Sequence, residues 1–170
     1  MSETSAYSGE TPLSSQTLRR AFGMFPTGVT LVTTHSAIGP LGMTANSFSS
    51  VSLDPPLIQW SIAKHSRRHD AFAQAQYFAI HILAADQIDI ARTFSKDGTA
   101  FAALNWRLDD NGVPVIAGTS ARFDCKTYAT HLAGDHTLIL GEVLNAEASD
   151  TEQSLAYARG RFAQVTQLPD

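Results

Sequence analysis

The stretch from Gly42 to Pro56 most constrains the fold, because it has the pattern of an extended strand with an unusually polar face. Strand side chains alternate between two faces, so the even-numbered residues 44–52 share one face. That face offers hydroxyls, one carboxamide and one aromatic ring, which suits a planar ligand rich in heteroatoms. A barrel strand with a merely wet face explains the pattern equally well, since β-propensity discriminates weakly. Pro55 and Pro56 end the strand, because proline donates no hydrogen bond to a sheet.

Further β-rich runs separated by turn signals predict a mainly antiparallel protein. The predicted strands are residues 28–35, 57–63, 77–83, 121–132, 137–148 and 159–164. Many short strands that do not alternate with long helices indicate a closed or nearly closed antiparallel barrel. No G-x-G-x-x-G follows a strand, which makes a Rossmann domain a poor fit. Residues 95–118 show little periodicity, and we expect a functional or mobile segment there.

Three short helices complete the prediction. Ser14 or Ser15 can cap the first, whose apolar face carries Leu18, Ala21, Phe22 and Phe25. A second is expected after residues 64–69. A third, capped by Asp86, carries the apolar residues of segment 88–94. We interpret residues 1–12 as a mobile tail and residues 13–170 as one domain.

Composition excludes several functional classes. The net charge is −4, and there is no basic run of the kind that nucleic-acid-binding proteins carry. No apolar run approaches the roughly 20 residues that span a bilayer, and the N-terminal residues lack a signal-peptide pattern. Cys125 is the only cysteine, which rules out an internal disulfide and predicts a cytoplasmic protein.

Four ordered motifs give the chain a family resemblance. They are Phe25-Pro26-Thr27-Gly28-Val29-Thr30, Gly42-Met43-Thr44-Ala45-Asn46-Ser47-Phe48, Ser50-Val51-Ser52-Leu53-Asp54-Pro55-Pro56 and Gly134-Asp135-His136-Thr137. From about Leu18 to Phe162 the chain resembles the flavin reductase family, the small NAD(P)H-dependent reductases that supply two-component monooxygenases. The resemblance implies an antiparallel Greek-key FMN-binding split barrel. It also implies a homodimer with flavin sites near the interface, FMN or FAD as cofactor, NADH or NADPH as hydride donor, and a monooxygenase partner.

The resemblance also implies site residues. Those that match the family's flavin motif are Thr44, Ala45, Asn46, Ser47 and Phe48, with Ser50 and Val51 at the adjacent positions. His65, Ser66 and Arg67 correspond to the second flavin-contacting segment. They are expected at a helix start, where free amides favour a phosphate. A solvated basic turn is the alternative.

His136 matches the family position that faces the nicotinamide, where it would orient the ring for hydride transfer rather than move a proton. Arg161 falls where the family often carries a basic residue near the dinucleotide. Arg159 lies two residues away and would share its strand face. His65 and His69 are spaced as helix-borne metal ligands, but no third ligand accompanies them, so no metal site is predicted.

Two other functions stay open at this point. One is a non-catalytic flavin- or haem-binding protein on the same fold. The other is an enzyme like pyridoxamine phosphate oxidase, which retains its flavin and uses oxygen.

Overall fold

A computed structural model describes residues 14–150 and 153–166 of the chain, so the predicted tail at residues 1–12 lies outside the described part. In chain order the elements are α1 Ser15–Phe22, β1 Thr27–Gly28, β2 Thr30–Ser36, β3 Gly39–Ala45, β4 Ser49–Leu53, β5 Pro56–Ala63, α2 His69–Ala73, β6 Tyr77–Ile82, α3 Ile88–Lys96, β7 Trp106–Leu108, β8 Pro114–Ile116, β9 Ala121–Ala133, β10 His136–Ala148, β11 Leu155–Ala158 and β12 Arg161–Gln164. None of the described helices has the length and apolar content needed to cross a membrane.

Seven strands form the main sheet in the order β3-β2-β6-β9-β10-β5-β4, and every neighbouring pair is antiparallel. Strands β3 and β4 are its two edges, yet only residues 46–48 connect them. Six gaps of about 4.8 Å would separate the edges of a flat sheet by about 29 Å, whereas the four residue steps from Ala45 to Ser49 reach at most about 14 Å. The sheet must therefore curl, which confirms the predicted antiparallel split barrel.

The expectation of one continuous strand over residues 43–53 is wrong, because the chain crosses between sheet edges at residues 46–48. At this crossing the Ser47 hydroxyl donates to the Ser61 carbonyl over 3.0 Å and accepts from the Ser61 N–H over 2.9 Å. One side chain thus replaces a missing pair of ladder hydrogen bonds. We call this contact between residues 46–48 and Ser61 of β5 the seam.

Apolar side chains fill the barrel and cover its outside around β2. Trp60, Phe72 and Phe78 pack inside, and the Phe48 ring stacks on Phe123 with 5.5 Å between ring centroids. Cys125 is buried in this cluster, and burial raises the pKa of its thiol to about 12. It therefore packs as a small apolar group.

Residues 97–118 form a packed cover rather than a segment without elements. Strands β7 and β8 pair as a hairpin, and Phe101 and Ile116 lie buried against α3 and the outer face of β2. The expectation of a functional or mobile segment missed this cover because its strands are only three residues long. A second correction concerns α3, whose N-cap is Gln87 rather than Asp86.

A three-stranded sheet of β1, β11 and β12 stands beside the barrel. Arg159 and Gly160 form its tight turn, and both have positive φ, at 52° and 77°, as a two-residue type I′ hairpin requires. The predicted single strand over residues 159–164 is therefore wrong. Arg159 belongs to the turn while Arg161 begins β12, so the two do not share a strand face.

Helix α1 confirms its predicted cap, because the Ser14 hydroxyl accepts from the Thr17 N–H over 3.0 Å. Its apolar face, however, contributes no fully buried residue, and only Leu18 among its predicted members is half-buried. Phe22 is 70% exposed, and Phe25, which lies beyond the helix, is 75% exposed.

A fully buried histidine links the barrel to its outer cover. The His81 ring donates from Nδ1 to the Leu31 carbonyl over 3.0 Å and accepts from the Ile116 N–H at Nε2 over 3.2 Å. The bond at Nε2 requires the neutral ring, because both nitrogens of a protonated imidazole are donors. Burial is the main cause that lowers the pKa of His81 from 6.5 to about 4.

Acidification should therefore destabilise the fold through His81. The unfolded chain binds a proton there near pH 6.5 and the folded chain only near pH 4, so this stability is complete above pH 6.5 and lost as pH falls towards 4. The loss amounts to about 3 kcal/mol. Urea denaturation at pH 7 and pH 4 measures this loss. Between the two pH values wild type should lose more free energy of unfolding than His81→Gln does. A difference independent of pH contradicts this assignment.

Candidate functional site

A cavity of about 530 Å³ opens between the end of β3, helix α3 and the β11–β12 hairpin. Its lining comprises Thr44, Ala45 and Asn46 beside the seam, Ala91, Arg92, Ser95 and Lys96 from α3, Tyr157, Gly160 and Phe162 from the hairpin, and Val29. This volume lies within the range of small-molecule sites. Three of the residues predicted from the sequence motif thus line one cavity.

Two threonine hydroxyls bonded to main-chain carbonyls fix the floor of this cavity, and the Asn46 side chain is left available to a ligand. The Thr44 hydroxyl donates to the Ala91 carbonyl over 2.7 Å, which ties β3 to α3. The Ala45 carbonyl accepts from the Thr30 hydroxyl over 2.8 Å. Asn46 is exposed, and its carboxamide has no hydrogen-bond partner among the described residues. It is therefore available both to donate to and to accept from a ligand.

The walls combine aromatic rings with positive charge. Tyr157 and Phe162 meet edge to face at 5.4 Å between centroids, and the Arg92 guanidinium lies 5.8 Å from the Phe162 ring centre. Arg92 also contacts the exposed Asp89, over 3.4 Å. Arg92 and Lys96 are the only charged residues in the lining. The cavity suits a ligand with an aromatic part and negative charge.

Arg68 connects the elements that shape this cavity. Its guanidinium donates to the carbonyls of Gly42 on β3 over 2.9 Å, Phe94 on α3 over 2.6 Å and Ser95 over 3.2 Å. Partial burial lowers the pKa of Arg68, and Asp97 opposes that shift. Gly42 permits the close approach of α3, since a Cβ there would lie 2.6 Å from the Phe94 ring. The Arg68 cation therefore joins the floor to the helical wall, in addition to the Thr44–Ala91 hydrogen bond.

Four other residues of the motif do not line the cavity. The hydroxyl of Ser47 and the ring of Phe48 are used at the seam and in the core. Ser50 and Val51 lie exposed on the edge strand β4, where Val51 sits at a bulge in the pairing with β5. The predicted alternating ligand face is therefore interrupted at residues 46–48.

The second predicted segment, His65-Ser66-Arg67, lies in the turn that follows β5. Helix α2 does begin just after it, at His69, but has only five residues. His65 and Arg67 are exposed, while the Ser66 hydroxyl accepts from the Arg68 N–H over 3.3 Å. Arg67 lines a different cavity, of about 860 Å³, between α2 and the β2–β3 turn. The structure thus brings Arg67 to a neighbouring surface rather than to the 530 Å³ cavity.

His136 stands at the tight β9–β10 hairpin, which Lys64 fixes to the end of β5. Lys64 donates from its N–H to the Asp135 carbonyl over 2.9 Å and from Nζ to the Gly134 carbonyl over 2.7 Å. The His136 ring lies 2.7 Å from the Asp135 carboxylate and is 41% exposed. This hydrogen bond is the main cause that holds the pKa of Asp135 below its usual range.

The register of β10 against β5 fixes the position of His136 relative to the seam. It pairs with Ala63, two residues beyond Ser61 on β5. His136 is not part of the cavity lining. Its strand partner Ala63 lies about 7 Å along β5 from Ser61, the residue that forms the seam contact. His136 therefore lies one strand away from the seam, on the other side of β5.

The remaining candidates are placed as follows. Arg161 is exposed on β12, between the lining residues Gly160 and Phe162. His69 contacts Asp70 at Nδ1 and Thr137 at Nε2. Within residues 14–150 and 153–166, no group of three or more His, Cys, Asp or Glu is arranged to hold a metal ion.

Sequence reasoning missed the walls of the cavity. Helix α3 was predicted from its apolar residues and a cap, and the prediction did not use Arg92 and Lys96, which lie one turn apart and both line the cavity. That i, i+4 pair of cations was the available signal. Tyr157 and Phe162 carried no signal, because only the turn at Gly160 brings them together.

Comparison with known proteins gives a consistent match. The family model described as "Flavin reductase like domain" matches residues 22–166. FMN reductase (NADH) SmoA of Agrobacterium fabrum is 53% identical over 152 residues, which cover 89% of this chain and 87% of that protein.

Two further matches extend the comparison. The reductase component of flavin-dependent trigonelline monooxygenase from Acinetobacter baylyi is 48% identical over 85% of this chain, but the chain spans only 47% of its length. The solved NADH:FAD oxidoreductase SgcE6 of Streptomyces globisporus, in complex with NAD and FAD fragments, superposes with a TM-score of 0.85. It is 39% identical, over 91% of this chain and 94% of that one.

Removing the Arg68 guanidinium should loosen the junction of β3 and α3. We expect Arg68→Met to lower the free energy of unfolding by about 2 kcal/mol, because each hydrogen bond from a charged donor contributes about 1.5–3 kcal/mol before exposure weakens it. Arg68→Lys should recover part of the loss, since an ammonium lacks the planar fork. Urea denaturation measures both. Arg107→Met, at an exposed position on β7, is the matched control, and an equal loss in that control would contradict the role of Arg68.

Proposed function

The chain belongs to the flavin reductase family, and we propose on that premise that its 530 Å³ cavity binds the isoalloxazine ring of FMN or FAD for reduction by NADH. The protein is an NADH-dependent flavin reductase, and flavin and NADH are its substrates. The observation that carries the choice of cavity is the free Asn46 carboxamide, which the flavin motif supplies to a lining whose only charges are positive.

The residues present fit a flavin. Its ring needs donors and acceptors at the pyrimidine edge, which Asn46 offers, and apolar contacts elsewhere, which Val29, Ala91 and Tyr157 provide. Its phosphate needs cations, and arginine binds phosphate through two parallel N–H groups. Arg92 is suitably placed in the wall.

The protein's contribution to catalysis is positioning. Bound flavin supplies the hydride acceptor, and NADH supplies the hydride. The Thr44–Ala91 hydrogen bond and the Arg68 contacts hold floor and wall at a fixed separation. Such alignment of two reactants provides a large rate advantage without a proton-transfer group.

We assign His136 to the nicotinamide rather than to the flavin, with Arg161 beside the dinucleotide. Two observations support this role: His136 lies one strand from the seam, across β5, and it keeps a partly exposed ring that Asp135 orients. Ser50 and Val51 on β4 remain proposed flavin contacts outside the cavity lining, as do His65, Ser66 and Arg67 in the turn after β5. We propose that Ser47 and Phe48 contact the flavin through main-chain groups, because their side chains are used at the seam and in the core.

We further propose that reduced flavin passes to a monooxygenase. Two relatives support this step: the trigonelline monooxygenase reductase component and the stachydrine N-demethylase reductase subunit of Rhizobium meliloti, 42% identical over 85% of this chain. A cytoplasmic location is proposed as well, supported by the buried free thiol of Cys125.

A homodimer is the proposed assembly. Phe22, Met24 and Phe25 form an exposed apolar group next to the cavity-bearing hairpin, and apolar groups of this kind usually mark an interface. A second copy is the occupant that the family resemblance implies. A molar mass of one chain in light scattering at micromolar concentration would contradict it.

A steady-state assay of NADH oxidation with added FMN or FAD tests the function itself. A reductase consumes NADH in proportion to added flavin. A non-catalytic flavin- or haem-binding protein consumes none. An enzyme that retains its flavin, like pyridoxamine phosphate oxidase, gains nothing from added flavin.

Asn46→Ala should weaken flavin binding. Because Asn46 is exposed, the lost hydrogen bonds are worth about 1 kcal/mol, which corresponds to about a fivefold rise in Kd. Flavin fluorescence quenching measures the affinity. Asn105→Ala removes an equally exposed carboxamide away from the cavity and should change nothing. Equal affinities of the two variants would refute the assignment of Asn46.

His136→Ala should slow flavin reduction by NADH about tenfold, because an orienting contact of about 1–3 kcal/mol is lost. Flavin affinity and chemical reduction by dithionite should be unchanged, since neither needs an aligned nicotinamide. Stopped-flow absorbance follows the reduction. His131→Ala, at an exposed position on the same hairpin, is the control. A His136→Ala variant that fails mainly by losing flavin would show that His136 faces the flavin instead.

A further inference from the structure

The His69 ring connects helix α2 to the strand that carries His136. His69 is the first residue of α2, and its Nε2 atom lies 2.8 Å from the Thr137 hydroxyl. Thr137 directly follows His136 on β10 and is only 4% exposed, while the His69 side chain is 19% exposed. Neither His69 nor Thr137 lines the 530 Å³ cavity, so this contact is not part of the flavin site itself.

Asp70 fixes the orientation of the His69 ring from its other side. The Asp70 carboxylate lies 2.7 Å from Nδ1, and a carboxylate only accepts hydrogen bonds, so Nδ1 carries a proton. In the neutral ring Nε2 is then the acceptor, and the Thr137 hydroxyl donates to it. Two hydrogen bonds on opposite ring nitrogens therefore hold the imidazole in one orientation between α2 and β10.

The start of α2 is also joined to the flavin cavity. Arg68, the residue before His69, donates to the carbonyls of Gly42 on β3 and Phe94 on α3, which belong to the elements that form the floor and wall of that cavity. The helix itself is anchored in the barrel by Phe72, which is fully buried. Two consecutive side chains thus join one turn of helix to the flavin cavity and to β10.

The end of the hairpin that carries His136 has little else to hold it. His136 is the first residue of β10, directly after a tight turn in which Gly134 has a φ of 62°, and the ends of an element open more readily than its centre. The Lys64 ammonium contacts the Gly134 carbonyl, but this contact is exposed and the lysine stem is flexible. The mostly buried His69 ring is the stiffer of these two side-chain contacts.

We propose that His69 is a positioning residue for hydride transfer, which acts through Thr137 to hold His136 at a fixed place relative to the flavin cavity. The transfer depends on the alignment of two bound reactants, and a misplacement of 1 Å can cost about 100-fold in rate. His69 needs no contact with either reactant for this role. The inference rests on the proposed function of His136 at the nicotinamide.

The test changes both partners of the contact in the FMN-loaded protein. His69→Leu and Thr137→Val each remove the hydrogen bond, whereas His69→Gln and Thr137→Ser keep a group that can form it. Thr130→Val, at an exposed position on the same hairpin, is the matched control. Stopped-flow absorbance at increasing NADH concentration gives the limiting rate of FMN reduction and the apparent Kd of NADH. Fluorescence quenching gives the Kd of FMN.

His69→Leu and Thr137→Val should each lower the limiting rate about fivefold, because the alignment is loosened rather than lost. The Kd values of NADH and FMN should stay within about twofold of wild type, since the contact aligns the reactants and does not bind them. His69→Gln and Thr137→Ser should recover most of the rate. The double variant His69→Leu/Thr137→Val should be no slower than either single variant, because both break the same contact.

The His136→Ala background separates positioning from a general weakening of the fold. If His69 acts through His136, His69→Leu adds nothing in this background. Equal slowing by His69→Leu with and without His136 overturns the proposal, because the effect then bypasses His136. Thr137→Val repeats the test without any change in α2.

Two further results overturn the proposal. The first is a pair of variants, His69→Leu and Thr137→Val, that reduce FMN at the wild-type rate or fail only by losing FMN, while His136→Ala is slow; the role of His136 then stands and that of His69 does not. The second is a His136→Ala variant that reduces FMN normally, which removes the role of His136 and this inference together.

Discussion

Closure of the barrel at the seam is the constraint on which the rest of the structure depends. Seven antiparallel strands leave two edges, and a three-residue crossing forces those edges together. The Ser47 hydroxyl completes the closure by bonding both main-chain groups of Ser61. Because the crossing cannot continue the strand, Asn46 is left exposed at the point where β3 ends. The Asn46 carboxamide, which lies beyond the end of β3, is therefore available to bind a ligand.

The site is then completed by elements outside the barrel. Arg68 bonds main-chain carbonyls of both β3 and α3, and so sets the distance between the Asn46 floor and the wall that carries Arg92 and Lys96. The Arg159–Gly160 turn brings aromatic rings to the opposite wall. Cations collect on these surrounding elements rather than in the barrel, which gives an acidic chain a positively charged site.

Strand and turn patterns predicted the antiparallel fold, and the family resemblance predicted the split barrel together with the motif residues 44–46, which line the cavity. Strands such as β9 and β10 were placed to within one residue. The break at residues 46–48 was missed, since the alternation of side chains continues through it while only the tertiary crossing interrupts pairing. The walls were missed for a related reason: Arg92 and Phe162 are distant in the chain and meet only through packing. Gly160, which follows Arg159, is a turn signal. The prediction of a strand over residues 159–164 ignored it.

Hydrogen–deuterium exchange with and without saturating FMN tests most directly whether the flavin motif and α3 form one binding site. If they do, bound FMN slows exchange at residues 44–46, 91–96 and 157–162, the segments that contain all but one of the residues lining the 530 Å³ cavity. The competing location is the larger cavity of about 860 Å³ beside the β2–β3 turn. Protection confined to residues 35–38 and 67–76, with none at residues 44–46, would contradict the account.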